Sequence, residues 1–260
     1  MMMPVTIIIT TKNRHKWLRR TLAYLDASGC HYPIILADAS NLGYEDNREL
    51  AQSSENISYL ACPNVRQTPS YNLALKQVTT RYAVLCGDDD YLVLDTIGKC
   101  VSFLDNNAEY VSVGGKVIAP YLSDSHELLR TCRSDNVFQT IDDTLPSKRL
   151  LACYSPYHPN TFSLCRTESL REIYKKISSL QLQDRPETFT LDEWAINGMM
   201  AIYWKQMKLP DPYMAMIRHS GTSVPPRISF DEIQYSTHGH IGCMKLIDLL
   251  SSELMRRDEH

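Results

Sequence analysis

The sequence predicts an α/β fold with a mainly parallel, mixed central sheet and a C-terminal helical extension. Short apolar runs alternate with amphipathic segments over the first hundred residues, which is typical of parallel strands joined by helices. Residues 83–86 (Ala-Val-Leu-Cys) form a continuously apolar run. Such a run indicates a strand that is covered on both faces, as the strands of parallel sheets are.

The elements follow in order along the chain. Strands are expected over residues 5–9, 33–37, 57–61, 82–86, 161–165 and 214–217. Residues 110–120 are expected to be extended, and residues 123–143 to be rich in loops. Helices are expected near residues 17–25 and over residues 71–78, 93–104, 168–182 and 191–204.

A further helix is expected at the C-terminal end. Ser229-x-x-Glu232 matches a capping box, which predicts a helix of roughly 25 residues after it. Its apolar residues could face the domain or a partner, such as a second copy of the chain; they are Ile233, Ile241, Met244, Ile247 and Leu250.

Composition excludes several classes of protein. A formal net charge of −3 and a pI near 6.2 argue against a nucleic-acid binder. Apolar runs are too short to cross a membrane, so a cytoplasmic protein is expected, with at most peripheral membrane association. The eight cysteines are scattered without zinc-ligand spacing and read as reduced core thiols. A glycine-rich phosphate loop is absent from the sequence.

Three consecutive carboxylates follow the buried run: Asp88, Asp89 and Asp90. Negative charge gathered at a strand tip favours a cation site, and oxygen ligands favour Mg²⁺ or Mn²⁺. Either Asp88 with Asp90, or Asp89 with help from elsewhere, would bind the ion. Because Mg²⁺ usually shares its ligands with substrate phosphates, a nucleotide or phosphate ester is the expected substrate. The alternative is that these aspartates only cap a helix starting near Val93.

Other polar residues fall at the same edge of the predicted sheet. Residues 10–14 follow the first strand, and Asp38 ends the second. Ligands of open α/β sheets lie beside the carboxyl ends of strands, so one pocket could collect these residues with the aspartates.

These motifs together resemble family 2 glycosyltransferases of the GT-A fold. The opening Val5-Thr6-Ile7-Ile8-Ile9-Thr10-Thr11-Lys12-Asn13-Arg14 is similar to the first strand of that family. Later motifs agree in order: Asp38 after the second strand, the helix start Tyr71-Asn72, the aspartates, the acidic pair Asp192-Glu193, and Arg218-His219. The resemblance covers about residues 3–225.

The resemblance implies a Rossmann-like fold of the kind that transfers sugars from nucleotide diphosphates. A GT-A domain would span residues 1–225, with a nucleotide-binding half to about residue 120 and an acceptor half after it, followed by a helical extension over 226–260. The residues implied in binding the donor are Thr10, Thr11, Asn13, Arg14, Asp38, Arg66, Asn72 and Asp88. Those implied in binding Mn²⁺ or Mg²⁺ are Asp88, Asp89, Asp90 and His219. Either Asp192 or Glu193 would be the catalytic base.

The sequence thus favours a metal-dependent, inverting glycosyltransferase that uses a UDP-linked sugar and a glycan or lipid-linked acceptor. Two alternatives stay open. A metal-dependent nucleotidyltransferase would release pyrophosphate, whereas a glycosyltransferase releases a nucleoside diphosphate. A non-catalytic nucleotide-sugar binding module would bind without turnover.

Overall fold

The computed structural model describes residues 3–41, 44–123, 127–133, 137–178, 180, 186–219, 233 and 235–258. Within these ranges the strands are β1 (Val5–Thr11), β2 (Ile34–Asp38), β3 (Ile57–Ala61), β4 (Tyr82–Gly87), β5 (Asp90–Leu92), β6 (Tyr110–Leu122), β7 (Leu128–Arg133), β8 (Leu164–Arg166) and β9 (Lys205–Met216). The helices are α1 (His15–Ala27), α2 (Tyr44–Gln52), α3 (Gln67–Leu75), α4 (Leu94–Asn106), α5 (Pro146–Tyr154), α6 (Thr167–Ser178), α7 (Pro186–Tyr203) and α8 (Thr237–Asp258).

All of these strands belong to one mixed sheet. Its order is β3-β2-β1-β4-β8-β6-β9-β5, and β7 pairs with β6 outside this path. The run β3-β2-β1-β4 is parallel, and so is the pair of β6 and β9. The short strand β8 is antiparallel to both β4 and β6 and joins the two halves. The predicted α/β class and mixed sheet are confirmed.

The parallel register brings the carboxyl ends of three strands to one edge. Thr11 of β1 pairs with Asp38 of β2, and Thr10 pairs with Gly87 of β4. The polar residues that follow these strands therefore emerge side by side, as ligand-binding residues of open α/β sheets do.

Alternate residues of β1 supply the cores on the two faces of the sheet. Ile7 and Ile9 pack with α1 and α4, whereas Ile8 packs with α3, α6, α7 and α8. This alternation follows from the two-residue period of a strand. Helices cover both faces, and every residue of β1 is buried.

Several elements differ from the sequence prediction. Residues 123–143 are not all loop, because β7 pairs with the outer edge of β6. Strand β9 begins nine residues before the predicted position 214; Pro210 and Pro212 interrupt its pattern, and its pairing register shifts around Lys116, the partner of Pro212. Helices α2 and α5 and strand β5 were not predicted.

The C-terminal helix is present as predicted, and α8 spans 22 residues. Ile233 and Leu250 are buried, whereas Ile241, Met244 and Ile247 are exposed. Ser229 and Glu232 of the predicted capping box lie outside the described residues. Among the helices described, none is both long and apolar enough to cross a membrane.

Candidate functional site

The three aspartates lie at the short connection between β4 and β5. Asp88 and Asp89 make a turn after β4, and Asp90 begins β5, where it pairs with Met216 of β9. Helix α4 starts later and takes no side-chain hydrogen bond at its N-cap, Val93. The helix-cap interpretation of the aspartates is therefore wrong.

Asp88 is held tightly by the first strand and helix. Thr11 Oγ1 donates to Asp88 Oδ2 at 2.7 Å, and Arg14 Nε donates to Oδ1 and Oδ2 at 2.9 and 3.1 Å. Thr21 Oγ1 donates to the backbone carbonyl of Asp88 at 2.8 Å. Burial raises the pKa of Asp88 to about 6, against the opposing charge of Arg14. These bonds fix the direction in which the turn projects its next two carboxylates.

Asp89 contacts both Arg14 and His219, which follows β9. The Nη2 atom of Arg14 donates to Asp89 Oδ2, and His219 Nε2 lies 3.0 Å from the same oxygen. Trp17 stacks on the imidazole of His219, with ring centroids 3.5 Å apart and planes 16° apart. Burial lowers the pKa of His219, and the contact with Asp89 opposes that effect. A first-turn tryptophan of α1 thus sets the orientation of a histidine from the far end of the chain.

Asp89 and Asp90 fit a divalent cation best. A Cβ placed on Gly87 would lie 2.7 Å from Asp90 Oδ2 and 3.1 Å from Asp89 Oδ1, so both oxygens converge on the space that glycine leaves. Burial and the charge of Asp89 raise the pKa of Asp90 to about 8, against the opposing effects of a backbone hydrogen bond from Ile217 and the charge of Arg218.

The site is not complete without further ligands. In the described ranges, no group of three or more His, Cys, Asp or Glu side chains is arranged to hold a metal ion. Mg²⁺ commonly uses one or two carboxylates, with waters and substrate phosphates filling its shell. Two converging carboxylates therefore suit an ion that arrives with a phosphorylated substrate.

The second strand supplies a polar corner next to this turn. Asp38 is 2 % exposed and accepts hydrogen bonds from the Ser40 amide at 2.8 Å, Asn47 Nδ2 at 2.9 Å and Tyr59 OH at 3.0 Å. Asn13 adopts a positive φ of 57°, and its backbone amide donates to Ser40 Oγ at 2.8 Å. The predicted residues Asn13 and Asp38 thus share one hydrogen-bonded corner, which Asn47 and Tyr59 complete. Sequence reasoning missed Asn47 and Tyr59 because neither stands at a strand end.

Asp192 and Glu193 lie inside α7 rather than at its start. The helix begins at Pro186, a residue type favoured in the first helical turn. The prediction of a helix opening with the acidic pair is therefore wrong, and attraction to the helix terminus does not explain the pair, since that effect falls off within the first turn.

The two carboxylates of the pair have different surroundings. Arg66 Nη1 donates to Asp192 Oδ2 at 3.0 Å, and Asp192 is 3 % exposed. Burial raises the pKa of Asp192 and Arg66 opposes it. Glu193 Oε1 accepts a hydrogen bond from Tyr157 OH at 2.7 Å, and Tyr157 OH in turn accepts one from Asn197 Nδ2 at 3.0 Å.

Glu193 also faces a small cleft between α3, α6 and α7. Gln67 at the start of α3 lines this cleft and donates from Nε2 to Thr10 Oγ1 at 3.4 Å, which links it to the edge of β1. Asn72, predicted to contact the donor, instead donates to Ser178 Oγ of α6 at 3.1 Å and is not brought to the strand edge. The other predicted donor and metal residues meet at that edge, and Arg66 is joined to Asp192.

A parallel half-sheet with an aspartate turn at its carboxyl edge, and a helix carrying Asp192 and Glu193 beside it, is the arrangement expected of a GT-A glycosyltransferase. Residues 6–174 match glycosyl transferase family 2, so the chain belongs to that family. The predicted family and enzyme class are confirmed. A comparison with curated protein sequences gives no match.

Solved structures of S. aureus TarS share the fold. The crystal structure of TarS 1-349 has a TM-score of 0.56 and 16 % identity, covering 98 % of this chain and 71 % of that one. TarS 1-349 in complex with UDP-GlcNAc has a TM-score of 0.59 and 16 % identity, covering 95 % and 72 %. The longer TarS structure has a TM-score of 0.51 and 17 % identity; the match covers 98 % of this chain and 43 % of that chain.

Proposed function

We propose that this glycosyltransferase moves a sugar from a UDP-linked donor to a glycan or lipid-linked acceptor, with inversion and with Mn²⁺ or Mg²⁺ as cofactor. One observation carries the proposal: Asp88, Asp89, Arg14 and His219 form a single hydrogen-bonded cluster at the carboxyl edge of the parallel strands. The UDP-GlcNAc complex of TarS, a protein of the same fold, supports UDP as the nucleotide.

The donor half would comprise about residues 1–120, the acceptor half residues 121–225, and the helical extension residues 226–260. Asn13 and Asp38 would face the base and ribose, since their shared corner stands beside the aspartate turn. Thr10 and Thr11 would define the floor of the nucleotide site at the end of β1. Arg14 and Asp88 would shape that site. Because the two side chains are bonded to each other, Arg14 would not take the place of the metal ion.

Asp89 and Asp90 would hold the divalent ion, and His219 would complete its protein ligands. Asp88 is assigned a positioning role because Thr11 and Arg14 already hold both of its oxygens. When bound, the ion would offset the negative charge that develops on the departing nucleoside diphosphate. Trp17 would keep the imidazole of His219 in place by stacking.

Glu193 is the better candidate for the catalytic base. It lines the cleft, whereas Asp192 is buried against Arg66. Consecutive helical residues point about 100° apart, so only one of the pair is expected to reach the acceptor. Glu193 would accept the proton of the incoming hydroxyl group while that oxygen attacks the sugar carbon from the face opposite the nucleotide. Tyr157 would hold the carboxylate in the required orientation.

Helix α8 is proposed to contact a second copy of the chain. Its exposed residues Ile241, Met244 and Ile247 lie three positions apart and are 51 %, 47 % and 54 % exposed. A mass measured by light scattering that equals two chains, and one chain in Ile247→Glu, would support this contact. A monomeric wild type that instead binds anionic vesicles would indicate peripheral membrane association.

Release of free UDP tests the proposed reaction. UDP-GlcNAc, UDP-glucose and UDP-galactose would be incubated with the protein in EDTA, Mg²⁺ or Mn²⁺. We expect UDP release that needs the metal and is lost in Asp89→Asn, while Asp26→Asn, an exposed change in α1, has no effect. Release of pyrophosphate would instead indicate nucleotidyl transfer, and binding without turnover would indicate a non-catalytic module.

A further inference from the structure

Asn197 belongs to a buried polar network around Tyr157, the residue that donates to Glu193. It lies four residues after Glu193 on α7, and residues four apart on a helix share a face. Asn197 is 0 % exposed, and its Nδ2 donates to Tyr157 OH at 3.0 Å. Tyr157 itself lies in the connection between α5 and β8. The proposed base is thus bonded to a tyrosine that an asparagine of the same helix holds in turn.

Backbone groups fix the direction in which the Asn197 amide points. Its Oδ1 accepts from the backbone N–H of Asn160 at 2.7 Å, and that group can only donate. Its Nδ2 donates to the backbone carbonyl of Glu193 at 2.8 Å, which can only accept, and to Thr161 Oγ1 at 2.8 Å. Exchanging the amide oxygen and nitrogen would break both backbone contacts, so it is the nitrogen that faces Tyr157.

This orientation of the amide decides where the Tyr157 proton goes. A tyrosine hydroxyl has one proton, and an amide nitrogen accepts no hydrogen bond. The proton therefore cannot point to Asn197, and Glu193 Oε1 lies 2.7 Å away to receive it. Burial and the charge of Glu193 raise the pKa of Tyr157, so the hydroxyl keeps its proton. The hydrogen bonds run in one direction, from Asn197 through Tyr157 to Glu193.

Asn160 ties the same connecting segment to the sheet. Its Nδ2 donates to Gln206 Oε1 of β9 at 2.8 Å and to the backbone carbonyl of Gln139 at 3.1 Å, and its Oδ1 accepts from the Gln139 amide at 2.9 Å. Asn160 and Gln206 are both buried. The Tyr157 ring also stacks on Tyr154, with centroids 5.9 Å apart. Breaking buried hydrogen bonds is costly, so this segment has little freedom to move relative to α7.

We propose that Asn197 is a positioning residue for sugar transfer: it directs the Tyr157 proton to Glu193 and so fixes the carboxylate that receives the acceptor proton. The inference rests on the proposed function, in which Glu193 is the base. A general base must lie within hydrogen-bond reach of the hydroxyl that it deprotonates. Asn197 would meet this demand without touching the substrate, because it acts through Tyr157.

Tyr157→Phe tests the last step of this chain of hydrogen bonds. We expect kcat for UDP release at pH 8 to fall about 10- to 100-fold, as for a small displacement of a reacting group, while the Kd for UDP stays unchanged. A hydrogen bond to a carboxylate favours its ionised form, so losing it should move the acid limb of the kcat profile about one unit to higher pH.

Tyr154→Phe is the matched control. Tyr154 stacks on Tyr157, but its hydroxyl donates to the backbone carbonyl of Trp194 at 2.6 Å rather than to a carboxylate. This variant should lower the melting temperature and leave the acid limb of the kcat profile where it is. The two tyrosines thus separate orientation of the base from packing of the segment.

A double-mutant cycle tests Asn197 itself. Asn197→Ala should lower kcat about 10- to 100-fold in the wild type but less than about twofold in Tyr157→Phe, which lacks the hydroxyl through which Asn197 acts. A merely structural role would lower kcat by the same factor in both backgrounds. Melting temperature and UDP affinity show whether each variant is folded. Asn197→Leu, which leaves a smaller cavity, replaces Asn197→Ala in the cycle if the alanine variant does not fold.

Two results would overturn the inference and leave the proposed function in place. Wild-type kcat and acid limb in Tyr157→Phe would mean that the tyrosine does not orient the base. Equal losses from the Asn197 change in both backgrounds would make Asn197 a structural residue only. Wild-type turnover in Glu193→Gln would instead remove the base on which the inference rests. A wild type that releases no UDP from any sugar nucleotide would contradict the proposed function and the inference with it.

Discussion

Arg14 donates hydrogen bonds to both carboxylate oxygens of Asp88, and the same guanidinium donates to Asp89. The Arg14 and Asp88 side chains are 10 % and 7 % exposed. One arginine from the start of α1 therefore pairs with two of the three aspartates of the turn.

Arg14→Met should destabilise the metal-free protein. At pH 8 Asp88 is ionised, and removing one partner of a buried ion pair costs about 3–5 kcal/mol. The loss should shrink at pH 5, because Asp88 can then take up a proton. Urea unfolding in EDTA measures both values. Arg19→Met, an exposed change on the same helix, should leave the free energy of unfolding within about 0.5 kcal/mol of the wild-type value. An equally small effect of Arg14→Met would show that Arg14 does not stabilise the turn by bonding Asp88 and Asp89.

Gly87→Ala should weaken Mn²⁺ binding by about 5- to 150-fold. The added methyl group would fill the space on which Asp89 Oδ1 and Asp90 Oδ2 converge, at 3.1 and 2.7 Å, and overpacking of this kind costs about 1–3 kcal/mol. Titration calorimetry with Mn²⁺ and UDP provides the measurement. A Cβ at Gly98 of α4 would meet nothing within 4 Å, so Gly98→Ala should bind Mn²⁺ normally. Wild-type metal affinity in Gly87→Ala would place the ion elsewhere.

Glu193→Gln and Asp192→Asn should fail in different ways. Glu193→Gln should lower kcat by about 10²- to 10⁴-fold and leave the Kd for UDP unchanged, as expected for loss of a general base. Asp192→Asn should mainly lower stability, since it removes the negative charge that Arg66 Nη1 contacts at 3.0 Å. Steady-state kinetics and thermal melting separate the two effects. If Asp192→Asn alone abolishes turnover in a stable protein, the base assignment is reversed.

Glu253 of α8 should control stability at acidic pH. Burial opposes its ionisation, but hydrogen bonds from Lys176 and Tyr203 outweigh this and lower the pKa of Glu253 below 4.5. Its contribution is therefore complete above pH 4.5 and is lost as the pH falls through the lowered value.

Glu253→Gln should thus cost about 1–3 kcal/mol at pH 7 and flatten the acid limb of the stability curve. Chemical unfolding between pH 3 and 7, read by circular dichroism, tests this. Glu168→Gln should change little, because Glu168 forms an exposed pair with Arg171. An unaltered acid limb in Glu253→Gln would show that other carboxylates control acid unfolding.

The sequence predicted those parts of the fold that depend on local pattern. β1 contains the apolar run 7–9 and β4 the apolar run 83–86, so both strands and their carboxyl ends could be predicted directly. The register of β9 could not be predicted, because Pro210 and Pro212 disrupt its alternating pattern. Pairing with β6 and β5 stabilises this strand despite the two prolines.

The candidate site was predictable to the same extent. Residues that follow strands, such as Asp38 and Asp88, were found from position alone. Trp17 was missed because it also satisfies the apolar face of a helix, and only the folded chain shows that its ring stacks on His219. Local pattern does not distinguish a core aromatic residue from one that borders a site.

The pairing of Asp90 with Met216 has a consequence for biosynthesis. Asp89 leaves the ribosome 130 residues before its partner His219, so over that length of synthesis the nascent chain carries its acidic turn without β5 having an edge to join. Contacts so distant in sequence form slowly, because a long loop must close first. The edge that carries the aspartates should therefore be among the last parts of the fold to form, and premature termination before β9 should yield a chain with a preformed parallel half-sheet and an unpaired β5.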